Sequence, residues 1–349
     1  MATAKWDGKR WRLRVSIDGK VRSYSSSTPG RKGKAEVEEK AYKQRRLTEV
    51  VRFSLAWDRY LDEVRHLTGP EHYKNTESIG RIYLLPLLGD KKLTTLRLND
   101  YQSVMWQVKK QDGSPLSRKT LSNIRGALVN FSKFCERSGL MEKSLTELRL
   151  PKDAPKIGKE ILQPDEARRI MNDFENEWYI YLWRWLLCTG MRPGEAIGLR
   201  WSDIHDGQVS ISQSVNYRGR ITEGKNDNAK RTFFLNEILN KILADQKART
   251  WRLNSEYIFC NHAGKHSLQT VTSNSWYRIA REMGSKTSPY GLRHTFISFM
   301  AQAIPEQALK ALVGHSVNMD TYGVYGHAVN GEGQRTAEQV NITLVEKMK

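Results

Sequence analysis

One stretch decides the fold of this 349-residue chain: Thr189-Gly190-Met191-Arg192-Pro193-Gly194-Glu195-Ala196-Ile197-Gly198-Leu199-Arg200-Trp201. It follows an apolar run, Trp178 to Leu187, and Gly190 interrupts that run. Pro193 suits the first turn of a new helix, where its missing N–H costs little. The pattern therefore predicts Arg192 at a helix start, where free N–H groups favour an anion and a guanidinium fork matches phosphate oxygens.

The composition points to a polyanionic partner. The chain carries 57 Lys and Arg against 38 Asp and Glu, a formal net charge of +19, and such an excess is typical of nucleic-acid-binding proteins. A membrane surface is the alternative, but Arg184 interrupts the most apolar window, and a span needs roughly 20 apolar residues. The absence of a signal-peptide core and the three separated cysteines, Cys135, Cys188 and Cys260, favour a reducing, cytoplasmic location without a metal site.

Residues 1–50 predict a small sheet with one helix. The segments Trp11 to Ile17 and Lys20 to Tyr24 alternate apolar and polar residues, and Asp18-Gly19 between them is a hairpin turn. A charged helix is expected from Lys34 to Leu47. The alternative is a basic, poorly ordered leader, but two alternating strands that flank a turn argue against disorder.

Residues 51–155 predict a bundle of four or five helices. Apolar residues recur at helical spacing from Phe53 onward, and a break is expected at Pro86 and Gly89. The last helix carries several basic residues, and for any single one an ordinary solvated face is the better interpretation. The segment Pro151 to Lys159, rich in Lys and Pro, predicts an exposed linker.

Residues 160–349 predict a mainly helical module with a small antiparallel sheet. A capped helix begins near Leu162, strand-like segments follow Trp201, and the chain from Asn236 onward is mostly helical. The expected fold class is therefore α+β and multidomain, with a small β-sheet plus helix at the N-terminus, a helical bundle, and this third module.

Short motifs of the third module resemble the tyrosine recombinases of the phage integrase family. The stretch around Arg192 resembles the first arginine box of that family. The stretch Pro289-Tyr290-Gly291-Leu292-Arg293-His294-Thr295-Phe296 resembles the second, usually written His-x-Leu-Arg-His. Arg293 and His294 match this pattern, whereas Tyr290 stands where the family most often has His.

Three further positions complete the resemblance. The segment Leu312-Val313-Gly314-His315-Ser316 resembles the Leu-Gly-His-Ser box, and Tyr325 follows His315 by ten residues. Tyr322 is the alternative nucleophile. Lys225 precedes Thr232 by seven residues, the spacing of the family's β-hairpin lysine, although Lys in a polar hairpin is also ordinary.

The resemblance implies a metal-free and cofactor-free reaction on DNA. Tyr325 would attack a phosphodiester and leave a 3′-phosphotyrosine and a free 5′-hydroxyl. Arg192 and Arg293 would stabilise the charge that develops on the phosphoryl oxygens, while His315 and Tyr290 add hydrogen bonds. Lys225 would protonate the departing 5′-oxygen. Covalent capture conserves the bond energy, so that rejoining needs no ATP.

The resemblance also implies three domains and their contacts with duplex DNA. Residues 1–50 would bind arm-type sites, residues 51–155 core sites, and residues 160–349 would be catalytic. The basic residues expected to contact DNA in these three domains are Arg12, Arg14, Lys20 and Arg22, then Arg118, Lys119 and Arg125, and finally Lys230 and Arg231.

The expected assembly is a homotetramer on two DNA sites, with an accessory DNA-bending protein or excision factor as an additional candidate partner. The apolar C-terminal residues Val340, Ile342, Leu344 and Val345 would pack onto a neighbouring protomer, as such tails do in the family. The protein would integrate or excise a phage or mobile element in a bacterial host, associated with the nucleoid.

Two alternative functions stay open at the sequence level. One is a type IB topoisomerase or a resolvase-like recombinase with the same chemistry, against which the arm-like module argues. The other is a DNA-binding protein with a decayed site, supported only by Tyr290.

Overall fold

The computed structural model describes the chain except for residues 1–2, 18–19, 49–50, 157, 223–229 and 315–330, and its side chains at 17, 20 and 43–48 are also left out. Lys225, His315, Tyr322 and Tyr325 therefore lie outside the described residues, as does the Asp18-Gly19 turn. The chain divides into two compact units, Met1–Ile157 and Gly158–Lys349. The described helices are not long and apolar enough to cross a membrane.

The N-terminal module is a three-stranded antiparallel sheet covered by one helix, as predicted. Its elements are β1 (Lys5–Trp6), β2 (Trp11–Ile17), β3 (Lys20–Ser26) and α1 (Gly30–Thr48). Leu13 packs with Val37 and Ala41 of the helix in a small core. The alternation of β2 therefore places its apolar residues on the helix-covered face.

The sheet register divides the predicted arm contacts between two faces. Arg12 and Arg14 are exposed on the open face, opposite Ser25 and Ser23. Arg22 instead pairs with Val15, which belongs to the helix-covered face. Arg12 and Arg14 therefore share one face of the sheet and Arg22 lies on the other, because residues in register across a sheet share a face.

Residues 51–155 form a helical bundle with its own core. Its helices are α2 (Phe53–Leu67), α3 (Pro70–Ile79), α4 (Leu85–Leu88), α5 (Leu98–Gln107) and α6 (Arg118–Arg137), with a π-helical turn at Gly80–Leu84 and a 3₁₀ turn at Leu93–Thr95. Ser117 caps the N-terminus of the last helix, because its hydroxyl accepts a hydrogen bond from the Thr120 N–H at 3.2 Å.

Two details of this bundle differ from the sequence prediction. Pro86 does not break the helix: it lies in the first turn of α4, directly after the π-turn, where a missing N–H is tolerated. The predicted linker is also shorter than expected. The N–H of Arg118 donates to the Pro155 carbonyl at 2.8 Å, and Ala154 is buried in the bundle core.

The C-terminal unit is built around a helix that is buried on all sides. This helix is α8 (Ile180–Thr189), and every one of its residues is buried. Helix α12 packs along it, and α7 and α10 cover further sides. The helices among the described residues of this unit are α7 (Pro164–Asn172), α8, α9 (Pro193–Ile197), α10 (Glu237–Thr250), α11 (Gln269–Met283), α12 (Pro289–Met300), α13 (Glu306–Val313) and α14 (Glu332–Lys347).

Two small antiparallel sheets lie beside these helices. One has the order β4 (Ile204–His205), β5 (Gln208–Ile211) and β8 (Arg231–Phe234), and the other pairs β6 (Ser214–Val215) with β7 (Ile221–Thr222). Short 3₁₀ turns occur at Trp201–Asp203 and Trp251–Leu253. The predicted α+β class is confirmed.

The C-terminal helix α14 packs within its own unit. Val340 and Leu344 are buried in the main core, and the Met348 carbonyl accepts a hydrogen bond from Arg168 Nε at 3.2 Å. The expectation that Val340 and Leu344 pack onto a neighbouring protomer is therefore wrong, because both are buried in the core of their own unit. Ile342 and Val345 lie on the outer face and are exposed.

Candidate active site

The turn between α8 and α9 places Arg192. Gly190 ends α8 in the left-handed conformation, with φ +62°, and a Cβ at this position would overlap the ring of Phe296. Glycine is therefore required for both the backbone conformation and the approach of α12. Pro193 occupies the first turn of α9, and Arg192 is the extended residue that precedes it. The predicted helix start is confirmed.

Arg192 is held by one carboxylate and one backbone carbonyl. Its Nη1 lies 2.7 Å from Glu195 Oε1, its backbone N–H donates to Oε2 at 3.0 Å, and its Nη2 donates to the Gly314 carbonyl at 2.9 Å. Burial alone would lower the pKa of Arg192, but the hydrogen bond and charge of Glu195 raise this pKa above its ordinary value. The side chain is about one-third exposed, at 34%, so the cation remains accessible.

Arg293 is more deeply buried than Arg192, and fewer of its hydrogen-bond donors have partners among the described residues. The residue is 1% exposed, and its Nη1 donates to the Gly190 carbonyl at 2.7 Å. Its Nε and Nη2 have no hydrogen-bond partner among the described residues. Burial and the positive charge of Arg192 lower the pKa of Arg293 to about 10. The two arginines are thus neighbours, and one of them holds unused donors in a buried position.

Tyr290 occupies the first turn of α12, next to the arginines. It is 41% exposed, so part of its side chain is accessible to a ligand. A hydrogen bond and the charge of Tyr290 contribute to the raised pKa of Arg192. The Tyr290 ring lies 5.3 Å from that of His294, and the Lys159 Nζ lies 5.8 Å from the Tyr290 ring centroid.

Arg231 is not placed where a DNA contact was expected. Its side chain is 7% exposed and pairs with Glu195, Nη2 to Oε2 at 2.8 Å. Among the described residues, its guanidinium therefore has an internal partner and not the exposed position expected of a DNA contact. Its neighbour Lys230 is exposed, as expected for a residue that contacts a polyanion.

The helical-bundle residues also differ in exposure. Lys119 is exposed, whereas Arg118 and Arg125 are half-buried. Arg118 Nη1 donates to the Pro151 carbonyl at 3.2 Å, which gives this arginine a structural contact in addition to any DNA contact.

Glu195 has contacts in the site that the sequence motifs do not reveal. This residue is 3% exposed and joins two guanidiniums. Its position three residues after Arg192, at the start of a helix, is the spacing at which a carboxylate folds back to the residue before the helix. That spacing could have identified the contact with Arg192, but not the contact with Arg231.

Comparison with known proteins assigns the family. Residues 160–332 match the phage integrase family. The tyrosine recombinase XerC of Pediococcus pentosaceus is 23% identical over 244 residues, which cover 63% of this chain and 75% of that protein. The tyrosine recombinase XerD of Halalkalibacterium halodurans is 23% identical over 220 residues, covering 58% and 68%.

Solved structures share the fold. The Tn1549 transposon integrase, in complex with a circular intermediate DNA, has a TM-score of 0.66 at 20% identity and covers 82% of this chain and 99% of its own. A lambda integrase dimer bound to a COC′ core site has a TM-score of 0.63 at 15% identity, covering 91% and 92%. The fold and the C-terminal site together define an enzyme of the tyrosine-type site-specific recombinases. The C-terminal unit belongs to the phage integrase family, whose model matches residues 160–332.

Proposed function

We propose that this protein cuts and rejoins duplex DNA through a 3′-phosphotyrosine bond, with Tyr325 as the nucleophile. The observation that carries the proposal is the buried guanidinium of Arg293, whose Nε and Nη2 have no partner among the described residues. Burying a charge with unused donors is costly unless an anion completes the site. A phosphodiester oxygen is such an anion, and the neighbouring Arg192 supplies a second cation.

The charge balance of the site supports the same anion. Arg192, Arg231 and Arg293 are three cations around Glu195, which lies within hydrogen-bond distance of the first two. These three arginines and Glu195 together carry an excess of positive charge in a largely buried environment, where electrostatic interactions are strong. A transition state with added negative charge on the phosphoryl oxygens gains more from such a site than the ground state does.

The reaction balances without an external energy source. The Tyr325 phenol gives up its proton to solvent water, and its oxygen forms a bond to the scissile phosphorus while the bond to the 5′-oxygen breaks. Lys225 gives the departing 5′-oxygen a proton. An incoming 5′-hydroxyl reverses the step on another strand and releases the tyrosine. His315 and Tyr290 donate hydrogen bonds to the same phosphate. The motif spacing supports these roles for Lys225, His315 and Tyr325.

Basic residues of both units are proposed to bind the DNA around the cleavage site. Arg12 and Arg14, exposed on the open face of the first sheet, are suited to an arm-type site. Lys119 and Lys230 are exposed on other elements and are suited to the core site. Phosphate contacts of this kind supply affinity that falls as salt rises.

The biological role proposed is integration or excision of a phage or other mobile element by a homotetramer on two DNA sites. The named integrases with the same fold include a transposon enzyme and a lambda integrase tetramer bound to a Holliday junction. An accessory DNA-bending protein or excision factor would be a further partner.

The test is capture of the covalent adduct. The full-length protein is incubated with DNA fragments that contain its own flanking genomic sequence, the mixture is denatured, and DNA attached to protein is sequenced at its ends. We expect one defined cleavage position, a free 5′-hydroxyl that kinase can label, and no adduct from Tyr325→Phe. Adduct formation by Tyr325→Phe, together with its loss in Tyr322→Phe, would assign the nucleophile to Tyr322.

The same DNA separates the alternative functions. Relaxation of supercoiled plasmid without exchange between two captured sites would indicate a topoisomerase. Binding without any adduct from the wild-type protein would indicate a decayed enzyme. Exchange of flanking sequence between two sites is the result expected for an integrase.

A further inference from the structure

The described contacts of Arg231 join separate segments of the chain. It is the first residue of β8, and its guanidinium holds both oxygens of Glu195, with Nη2–Oε2 at 2.8 Å and Nη1–Oε1 at 3.2 Å. Its Nε donates to the carbonyl of Leu312 at 2.8 Å. Bidentate pairing fixes orientation as well as charge, so these contacts hold Glu195 in one rotamer.

Glu195 in turn holds Arg192. The Oε1 atom that accepts from Arg231 also lies 2.7 Å from Arg192 Nη1. Burial would raise the pKa of Glu195, but the hydrogen bond and charge of Arg231, with the contacts of Arg192, lower that pKa below its ordinary value. The carboxylate is therefore ionised, and Arg231 offsets a negative charge that would otherwise bear on Arg192 alone.

The same two arginines bind the end of α13. Leu312 lies in the last turn of this helix, and Gly314 follows it in the left-handed conformation, with φ +68°. Arg231 donates a hydrogen bond to the Leu312 carbonyl, and Arg192 donates one to the Gly314 carbonyl. Helix C-terminal carbonyls carry partial negative charge and need donors. The two guanidiniums therefore fix the backbone that leads directly into His315.

We infer that Arg231 is a positioning residue of the recombination site, which acts through Glu195 on Arg192 and through the Leu312 carbonyl on the chain preceding His315. This inference rests on the proposed function. It replaces the sequence-based expectation that Arg231 contacts a phosphate. Because Arg231 is also the first residue of the strand that follows the Lys225 segment in sequence, one side chain links three segments that contain proposed catalytic groups.

The experiment uses single-turnover cleavage of the captured site by the full-length protein, together with DNA affinity at several salt concentrations. Arg231→Met should slow cleavage by about 100-fold at saturating DNA, since small displacements of catalytic groups have effects of this size. Arg231→Lys should recover part of the rate, because it restores the charge but not the bidentate geometry. The salt dependence of affinity should match that of the wild type.

Arg184→Lys is the matched control. Arg184 is also buried, and it also pairs with a carboxylate and with backbone carbonyls, those of Ile170 and Asp173. Its contacts lie on α7 and the loop after it. At a temperature where both lysine variants are equally folded, Arg184→Lys should cleave at the wild-type rate and Arg231→Lys should not.

Each other outcome overturns the inference. Wild-type cleavage by folded Arg231→Met, or equal losses in the two lysine variants, would leave Arg231 with only a general structural role. A salt slope reduced by about 0.9, with the rate restored at saturating DNA, would make Arg231 a direct phosphate contact.

A further measurement separates failure of the inference from failure of the proposed function. If the wild-type protein forms no adduct, the proposed function fails, but the linkage can still be tested by unfolding. Arg231→Lys and Arg192→Lys share one carboxylate, so their effects on the free energy of unfolding should not be additive. Additive effects would overturn the linkage without reference to DNA.

Discussion

Arg184 and Arg293 are both buried arginines of the C-terminal unit, but their hydrogen-bonding donors are used differently. The Nε and Nη2 of Arg184 donate hydrogen bonds to two backbone carbonyls, and its Nη1 forms an ion pair with Glu175, at distances of 2.6 to 3.0 Å. The Nη1 of Arg293 donates to one backbone carbonyl, and its other two nitrogen atoms have no partners among the described residues. The first pattern is that of a structural cation, and the second is that of a cation prepared for a ligand.

Tyr290 gives a prediction about the strength of one neutral hydrogen bond. If its phenol donates to the scissile phosphate, Tyr290→Phe should slow single-turnover cleavage by about 100-fold, the cost of one preorganised donor. Arg192→Ala or Arg293→Ala should cost more, because each removes a charge. Tyr290→His should stay close to wild type, since His supplies a donor from a similar place.

Tyr277→Phe is the control for Tyr290→Phe, because Tyr277 is a comparably exposed tyrosine on α11. It should cleave at the wild-type rate. A silent Tyr290→Phe combined with a harmful Tyr290→His would assign Tyr290 to packing instead of catalysis.

The sequence predicts the local structure around the arginines better than it predicts their contact partners. Helix signals placed Arg192 before α9, and the turn at Gly190 was anticipated from the apolar run that it ends. Lys230 and Arg231, however, are adjacent in sequence, and adjacent residues of a strand point to opposite faces. Two neighbouring cations carry no pattern that tells which one is buried, so only the fold identified Arg231 as the internal one.

At the scale of secondary structure, errors arose where tertiary contacts override local preference. Pro86 normally predicts a break, but the π-turn before it lets the chain stay helical. The composition of residues 151–159 predicts a solvated linker, but two backbone carbonyls of this segment accept hydrogen bonds from Arg118. Arg118 lies 33 residues before Pro151, too far in sequence to produce a local signal.

The Gly190 turn gives a prediction about an element boundary. In Gly190→Ala, the left-handed backbone should cost about 1–2 kcal/mol, and overlap with Phe296 should add about 1–3 kcal/mol. Gly284→Ala is the matched control, because Gly284 also ends a helix at φ +72° but has open space around its Cβ direction. Unfolding in urea should show the larger loss for Gly190→Ala, and equal losses would contradict a packing role for this glycine.

At the scale of the whole molecule, the N-terminal module is predicted to serve recombination between full sites but not cleavage of the core site. A protein that starts near Phe53 should cleave a short core site but should lose efficient recombination between full sites. Arg14→Gln, on the open face, should reproduce part of this loss, whereas Arg22→Gln, on the other side of the sheet, should have a smaller effect. Full recombination by the shortened protein would argue against a separate arm site.

The C-terminal helix α14 gives the last prediction, which concerns assembly. Truncation after Gln334 would remove Val340 and Leu344, which are 4% and 0% exposed, so it should destabilise the catalytic unit itself. Leu344→Ala alone should cost about 2–5 kcal/mol, the usual range for a buried leucine. Truncation therefore cannot test whether this helix contacts a neighbouring protomer.

The outer face of the same helix provides a cleaner test. Ile342 and Val345 are 44% and 41% exposed, and they lie three residues apart, on one side of the helix. Replacing both by Ser should change the free energy of unfolding by less than about 1 kcal/mol, as is usual for surface positions. If this face packs onto a neighbouring protomer, the double variant should bind one site normally but form fewer tetramers on two sites in a native gel. Wild-type tetramer yield would show that the exposed side of α14 takes no part in assembly.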